Sequence, residues 1–82
     1  MQIAVDISLY PLDKDFVPPI KDVIERLRAY PDVQMSENAM STQLRGEFDT
    51  VMDALKAEIG TTFASLPKAV FAIKILNNPL PE

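Results

Sequence analysis

The sequence predicts an α+β fold of the ferredoxin-like kind: β-α-β-β-α-β, with a four-stranded antiparallel sheet and two helices on one face. Three observations lead there. The two ends of the chain alternate side chains with period two, as strands do: Ile3, Val5, Ile7 and Leu9 against Ala4, Asp6, Ser8 and Tyr10, then Ala69, Phe71, Ile73 and Ile75 against Val70, Ala72, Lys74 and Leu76. Two inner stretches carry apolar residues at helical spacing. Strand, helix, strand occurs twice, which is the split βαβ arrangement. In it the first and third strands are central and the second and fourth lie at the edges. The length of 82 residues suits one domain, 1–82.

The first strand begins at Gln2, and Pro11 closes it. Asp13-Lys14-Asp15 is a polar loop, from which Asp15 or a neighbour is expected to cap the helix that follows. Pro18 and Pro19 suit a helix's first turn, where the amide has no intrahelical acceptor. Ile20, Val23, Ile24 and Leu27 form its apolar stripe, and Lys21, Asp22, Glu25, Arg26 and Arg28 its polar side. Tyr30-Pro31 stops it, because the residue before proline avoids the helical region. Residues 33–40 and 41–48 read as a hairpin turning near 37–39, with Asn38 the best turn former. Gly46 inside the third strand signals a bulge or the close approach of another backbone. Asp49 is expected as N-cap of the second helix, with Val51, Met52, Leu55 and Ile59 as its stripe, Phe48 as a staple residue and Gly60 as its end. Residues 68–76 form the last strand. Met35 and Met40 read as core fillers.

Composition narrows the functions. The chain has no Cys and no His, so it lacks a disulfide framework, the usual general base and the usual transition-metal ligands. A net charge of −4 opposes the phosphate neutralisation on which nucleic-acid binding depends. No apolar run approaches the roughly 20 residues of a membrane span, and no secretory leader pattern opens the chain. Together these predict a cytoplasmic protein with no nucleic-acid partner and no membrane insertion. Glycine-rich phosphate loops, dinucleotide fingerprints and the GxSxG element are absent.

With Ile3, Val5, Ile7 and Leu9, Thr42 and Leu44, and Phe71, Ile73 and Ile75 turned to the helices, the open face carries Asp6, Ser8 and Tyr10, Ser41, Gln43 and Arg45, and Lys74. Asp6 is expected between Arg45 and Lys74. One reading is a solvated sheet with a cross-strand ion pair worth about 0.2–1 kcal/mol. A second is a small-molecule site, in which Asp6, Ser8, Ser41 and Gln43 supply convergent polar groups and Tyr10 a flat wall. A third is assembly: Val70, Ala72 and Leu76 are apolar where a lone domain favours polar residues. A fourth reading is a small enzyme using Asp6 as base near Lys74, which a raised pKa at Asp6 would mark.

Three segments resemble the YkoF-like thiamine-binding family: Ile7 to Leu12 (ISLYPL), Ser41 to Lys56 (STQLRGEFDTVMDALK, with the element Thr42-Gln43-Leu44-Arg45-Gly46) and the lysine-bearing Phe71 to Ile75 (FAIKI). The resemblance implies a ferredoxin-like domain that binds thiamine or its hydroxymethylpyrimidine moiety without catalysis and without a cofactor. It also implies a homodimer or homotetramer, since two-domain members carry two such repeats. The expected ligand-binding residues are Asp6, Ser8, Tyr10, Ser41, Gln43, Arg45 and Lys74. An aminopyrimidine offers an amine donor and ring-nitrogen acceptors to Asp6, Ser8, Ser41 and Gln43, and a thiazolium cation suits the face of Tyr10. The alternative function is an oligomeric structural or regulatory module without thiamine affinity.

Overall fold

The computed structural model describes residues 1–81. The elements follow in the expected order: β1 (Gln2–Pro11), α1 (Val17–Arg28), β2 (Gln34–Glu37), β3 (Thr42–Glu47), α2 (Phe48–Ser65) and β4 (Ala69–Asn77). They build one sheet in the order β2-β3-β1-β4, with every neighbouring pair antiparallel. β1 and β3 are therefore central, and both helices pack across them. The alternation along β1 sends Ile3, Val5, Ile7 and Leu9 into the core, where Leu27, Leu44 and Val51 are fully buried beside them. Each such side chain contributes about 1.5–3 kcal/mol relative to exposure. β4 gains less cover. Phe71 and Ile73 are half-buried on the helix side, but Ile75, expected in the core, is 50% exposed because it lies at the sheet edge beyond the helices.

Local chemistry accounts for most boundaries. Pro18 and Pro19 occupy the first turn of α1, but its N-cap is Phe16, without a side-chain cap. Asp15, expected there, instead donates its amide to Asp13 Oδ1 at 3.3 Å. The hairpin turns slightly later than expected, over residues 38–41. Asn38 Oδ1 accepts from the amides of Met40 at 2.8 Å and Ser41 at 3.0 Å, so both flanking strands are short. This puts Met40 on the tip, 85% exposed, and not in the core; Met35 packs on the core as expected. Gly46 stands within an unbroken β3 register, opposite Ile3. A β-carbon there would lie 3.0 Å from Val51 Cγ2 and 3.1 Å from the Asp32 carbonyl, so close backbone approach explains the glycine.

α2 departs from expectation at both ends. It starts at Phe48, the expected staple residue, with Glu47 at the N-cap making no side-chain cap. Asp49 falls within the first turn, where its carboxylate favours the helix dipole. Gly60 does not end the helix, which runs on to Ser65. A helical glycine costs about 1 kcal/mol against alanine, and long-range contacts in the next turn outweigh it. Glu58 and Thr62 are buried and meet α1. Arg26 Nε donates to Glu58 Oε1 at 2.6 Å, Arg26 Nη2 to Thr62 Oγ1 at 3.2 Å, and Tyr30 Oη to Glu58 Oε2 at 3.1 Å. Arg26 thus joins the two helices and is not part of a solvated face. Burial, with the Glu58 carboxylate nearby, raises the pKa of Tyr30.

Candidate functional site

The register decides what surrounds Asp6. Its direct neighbours are Gln43 on β3 and Lys74 on β4. Gln43 Nε2 lies 3.0 Å from Ser41 Oγ and 3.5 Å from Asp6 Oδ1, and Lys74 Nζ is 3.7 Å from Asp6 Oδ2. The Asp6 pKa lies below the ordinary 3.8, chiefly through a hydrogen bond from Ser41; partial burial opposes this, and Gln43 and Lys74 add to it. The shift is opposite to the one a carboxylate base would show. Arg45 does not flank Asp6. It stands opposite Ala4, one step along the sheet, and Nη1 donates to the Leu80 carbonyl at 2.8 Å. The expected anion between two cations is therefore an anion bonded by one cation, an amide and a hydroxyl.

A second feature arises because β1 is longer than β3. The last pair between them is Ile7 with Thr42, while Ser8 to Pro11 continue with β4 alone. Where β3 has stopped, the chain turns through Asn38 to Ser41, and α1 passes over the gap. The result is a cleft of about 490 Å³, within the 300–1,000 Å³ common for small-molecule sites. Ile20, Ile24 and Leu27 form the α1 wall, Ile7, Leu9 and Phe71 the floor, and Met40 and Phe16 stand at its margins. Its polar groups are Ser8, Tyr10, Asn38, Ser41 and Thr42. Tyr10, Leu12, Phe16 and Met40 are all more than half exposed along it.

Three of the seven expected site residues, Ser8, Tyr10 and Ser41, line this cleft. Asp6, Gln43, Arg45 and Lys74 lie on the open sheet face outside the lining, with Ser41 linking the two groups through Gln43. Sequence reasoning missed Asn38, Thr42, Phe16 and Phe71 as lining residues. The signal available for them was the tight-turn chemistry of Asn38, which shortens β3 relative to β1. Among the described residues no cluster of three or more acidic, His or Cys side chains is placed to hold a metal ion, and no helix is long and apolar enough to cross a membrane.

The model of the YKOF-related family matches residues 2–76. A UPF0045 protein of Methanocaldococcus jannaschii is 29% identical over 76 residues, spanning 90% of this chain and 75% of the relative. The crystal structure of a hypothetical protein from the same organism superposes with a TM-score of 0.82 at 26% identity, covering 99% of this chain and 84% of that one. A Thermotoga maritima crystal structure, whose description proposes a role in thiamine biosynthesis or salvage, superposes with a TM-score of 0.86 at 20% identity, covering 95% and 85%; this likeness is one of fold.

Proposed function

This chain belongs to the YKOF-related family, and from that membership and the cleft beside β1 we propose that it binds thiamine, or the hydroxymethylpyrimidine part of it, without catalysis. The observation that carries the reading is the place where β1 outruns β3. From Ser8 to Pro11 the backbone groups on that side have no strand partner. A flat heterocycle with donors and acceptors on its edge suits such a position, as an aminopyrimidine does. Ser8, Ser41 and Asn38 supply side-chain partners, and the half-buried Ile20 and Ile24 of α1 offer the ring an apolar wall. Tyr10, Phe16 and Phe71 offer aromatic faces to a thiazolium. Arg45 and Lys74, which would repel that cation, stand outside the lining. Asp6 acts at one remove, holding Ser41 and Gln43 in position. The description of the Thermotoga neighbour points the same way.

The role is reversible sequestration or delivery in the cytoplasm. Exposed Val70, Ile75 and Leu76 on the β4 edge support pairing of copies into a homodimer or homotetramer, which light scattering after gel filtration reads directly. Isothermal titration with thiamine and with hydroxymethylpyrimidine tests the binding itself. Saturation near one ligand per chain is expected at about micromolar affinity. Ser8→Ala and Ser41→Ala should each weaken it by up to about tenfold, the worth of one hydrogen bond. No heat and no thermal shift with either ligand would overturn the proposal and leave an assembly module as the better account.

A further inference from the structure

The cleft carries no charged side chain. Its polar groups are two serines, a threonine, an asparagine and a phenol, and the remainder is apolar. A phosphate monoester brings about −1.5 to −2 charge at pH 7, and proteins meet such a group with Arg, Lys or the free amides of a helix N-terminus. The one helix that begins beside this cleft is α1, whose margin there is Phe16 and Ile20. Pro18 and Pro19 sit in its first turn and have no N–H to donate. Leu12 and Phe16 border the cleft, while Asp13 and Asp15 of the loop between them turn to a separate hollow with Pro18, Pro19 and Asp22, so the loop brings no cation to the lining. Arg and Lys are missing from the lining, and the prolines reduce what the α1 N-terminus can donate.

We infer that the cleft selects the unphosphorylated vitamin or pyrimidine and rejects its phosphate esters. The inference rests on the ligand class proposed above and assigns its phosphorylation state. It places the protein beside the free compound, ahead of the kinase-type reaction that would phosphorylate it. Equilibrium dialysis at about 150 mM salt, where long-range charge effects are screened, provides the test with four probes: hydroxymethylpyrimidine, thiamine, thiamine monophosphate and thiamine diphosphate. Burying or crowding an uncompensated phosphate predicts esters at least about tenfold weaker than thiamine. Met40→Lys places a cation on an exposed turn residue at the margin and should narrow the ratio of thiamine to monophosphate affinity at least about threefold, as expected for one exposed charge pair. Esters binding as tightly as thiamine would overturn the inference while leaving thiamine binding intact. An unchanged ratio in Met40→Lys would overturn its electrostatic basis. Binding of none of the four would overturn both readings.

Discussion

Replacing Arg26 with methionine tests how the two helices are held together. The Glu58 side chain is 5% exposed, and both of its oxygens are bonded: Oε1 by Arg26 Nε at 2.6 Å and Oε2 by Tyr30 Oη at 3.1 Å. Arg26→Met keeps much of the aliphatic packing but leaves the carboxylate buried with one neutral donor, and Thr62 Oγ1 loses its donor as well. An unpaired buried charge of this kind costs about 3 kcal/mol. At about 4–8 °C per kcal/mol for a chain of this size, the melting temperature should fall by about 12–24 °C. Tyr30→Phe removes only the neutral donor and should cost about 1 kcal/mol. Arg26→Met combined with Glu58→Leu removes the charge together with its partner, and should return to within about 1 kcal/mol of the parent. Urea unfolding monitored by far-ultraviolet circular dichroism gives all three values. A loss below about 1 kcal/mol in Arg26→Met, the range of an exposed pair, or a double variant weaker than the single one, would refute the reasoning.

Gly46→Ala should destabilise by about 1–2 kcal/mol in the same urea assay, because crowding against Val51 and the unyielding Asp32 carbonyl outweighs the loss of chain entropy. Gly60→Ala, with open space around it inside α2, should stabilise by about 1 kcal/mol. The lowered pKa of Asp6 contributes stability that is present above 3.8 and lost as pH falls through the lower folded value. The melting temperature of Asp6→Asn should therefore fall less steeply below pH 3.8 than that of the parent, as calorimetry across that range will read. Tyr30 has the opposite sign: its raised pKa contributes stability that is full below 10.0 and lost as pH rises through the folded value, and Tyr30→Phe should remove that alkaline loss.

Periodicity made most of this fold legible. Ile3, Val5, Ile7 and Leu9 alternate over a long enough run to identify β1 and its buried face, and Gly46 announced a crowded backbone. What escaped was information that no single segment contains. Gly60 is locally a stop signal, and it is overridden by Thr62 meeting Arg26 thirty-six residues away. Arg26 looks like a surface residue until Glu58 is placed beside it. Alternation assigns side chains to a face but leaves the register open. Arg45 was accordingly expected beside Asp6, although the pairing puts Gln43 there and sends Arg45 to the C-terminal residues. The cleft was the least legible feature, since it depends on where β3 stops against β1 rather than on any motif.

The same register explains why the open face and the cleft differ in chemistry. Where β1 runs between two strands, it presents Asp6 opposite Gln43 and Lys74, and Ser41 completes the set of partners. A pyrimidine seeking Asp6 on that face would have to displace contacts already made, exchanging one set of hydrogen bonds for another with little net gain. Beyond Ile7 the cross-strand partners become Ser8 with Ala72 and Tyr10 with Val70, all uncharged, and one side of the strand is left without a neighbour. A ligand entering there meets unpaired backbone and apolar walls, and its gain is not offset by broken ion pairs. Affinity at the cleft should consequently be nearly independent of salt, whereas binding through Asp6 and Lys74 would weaken as salt screens exposed charges. Titrating thiamine at about 50 and 500 mM salt separates the two locations without any substitution.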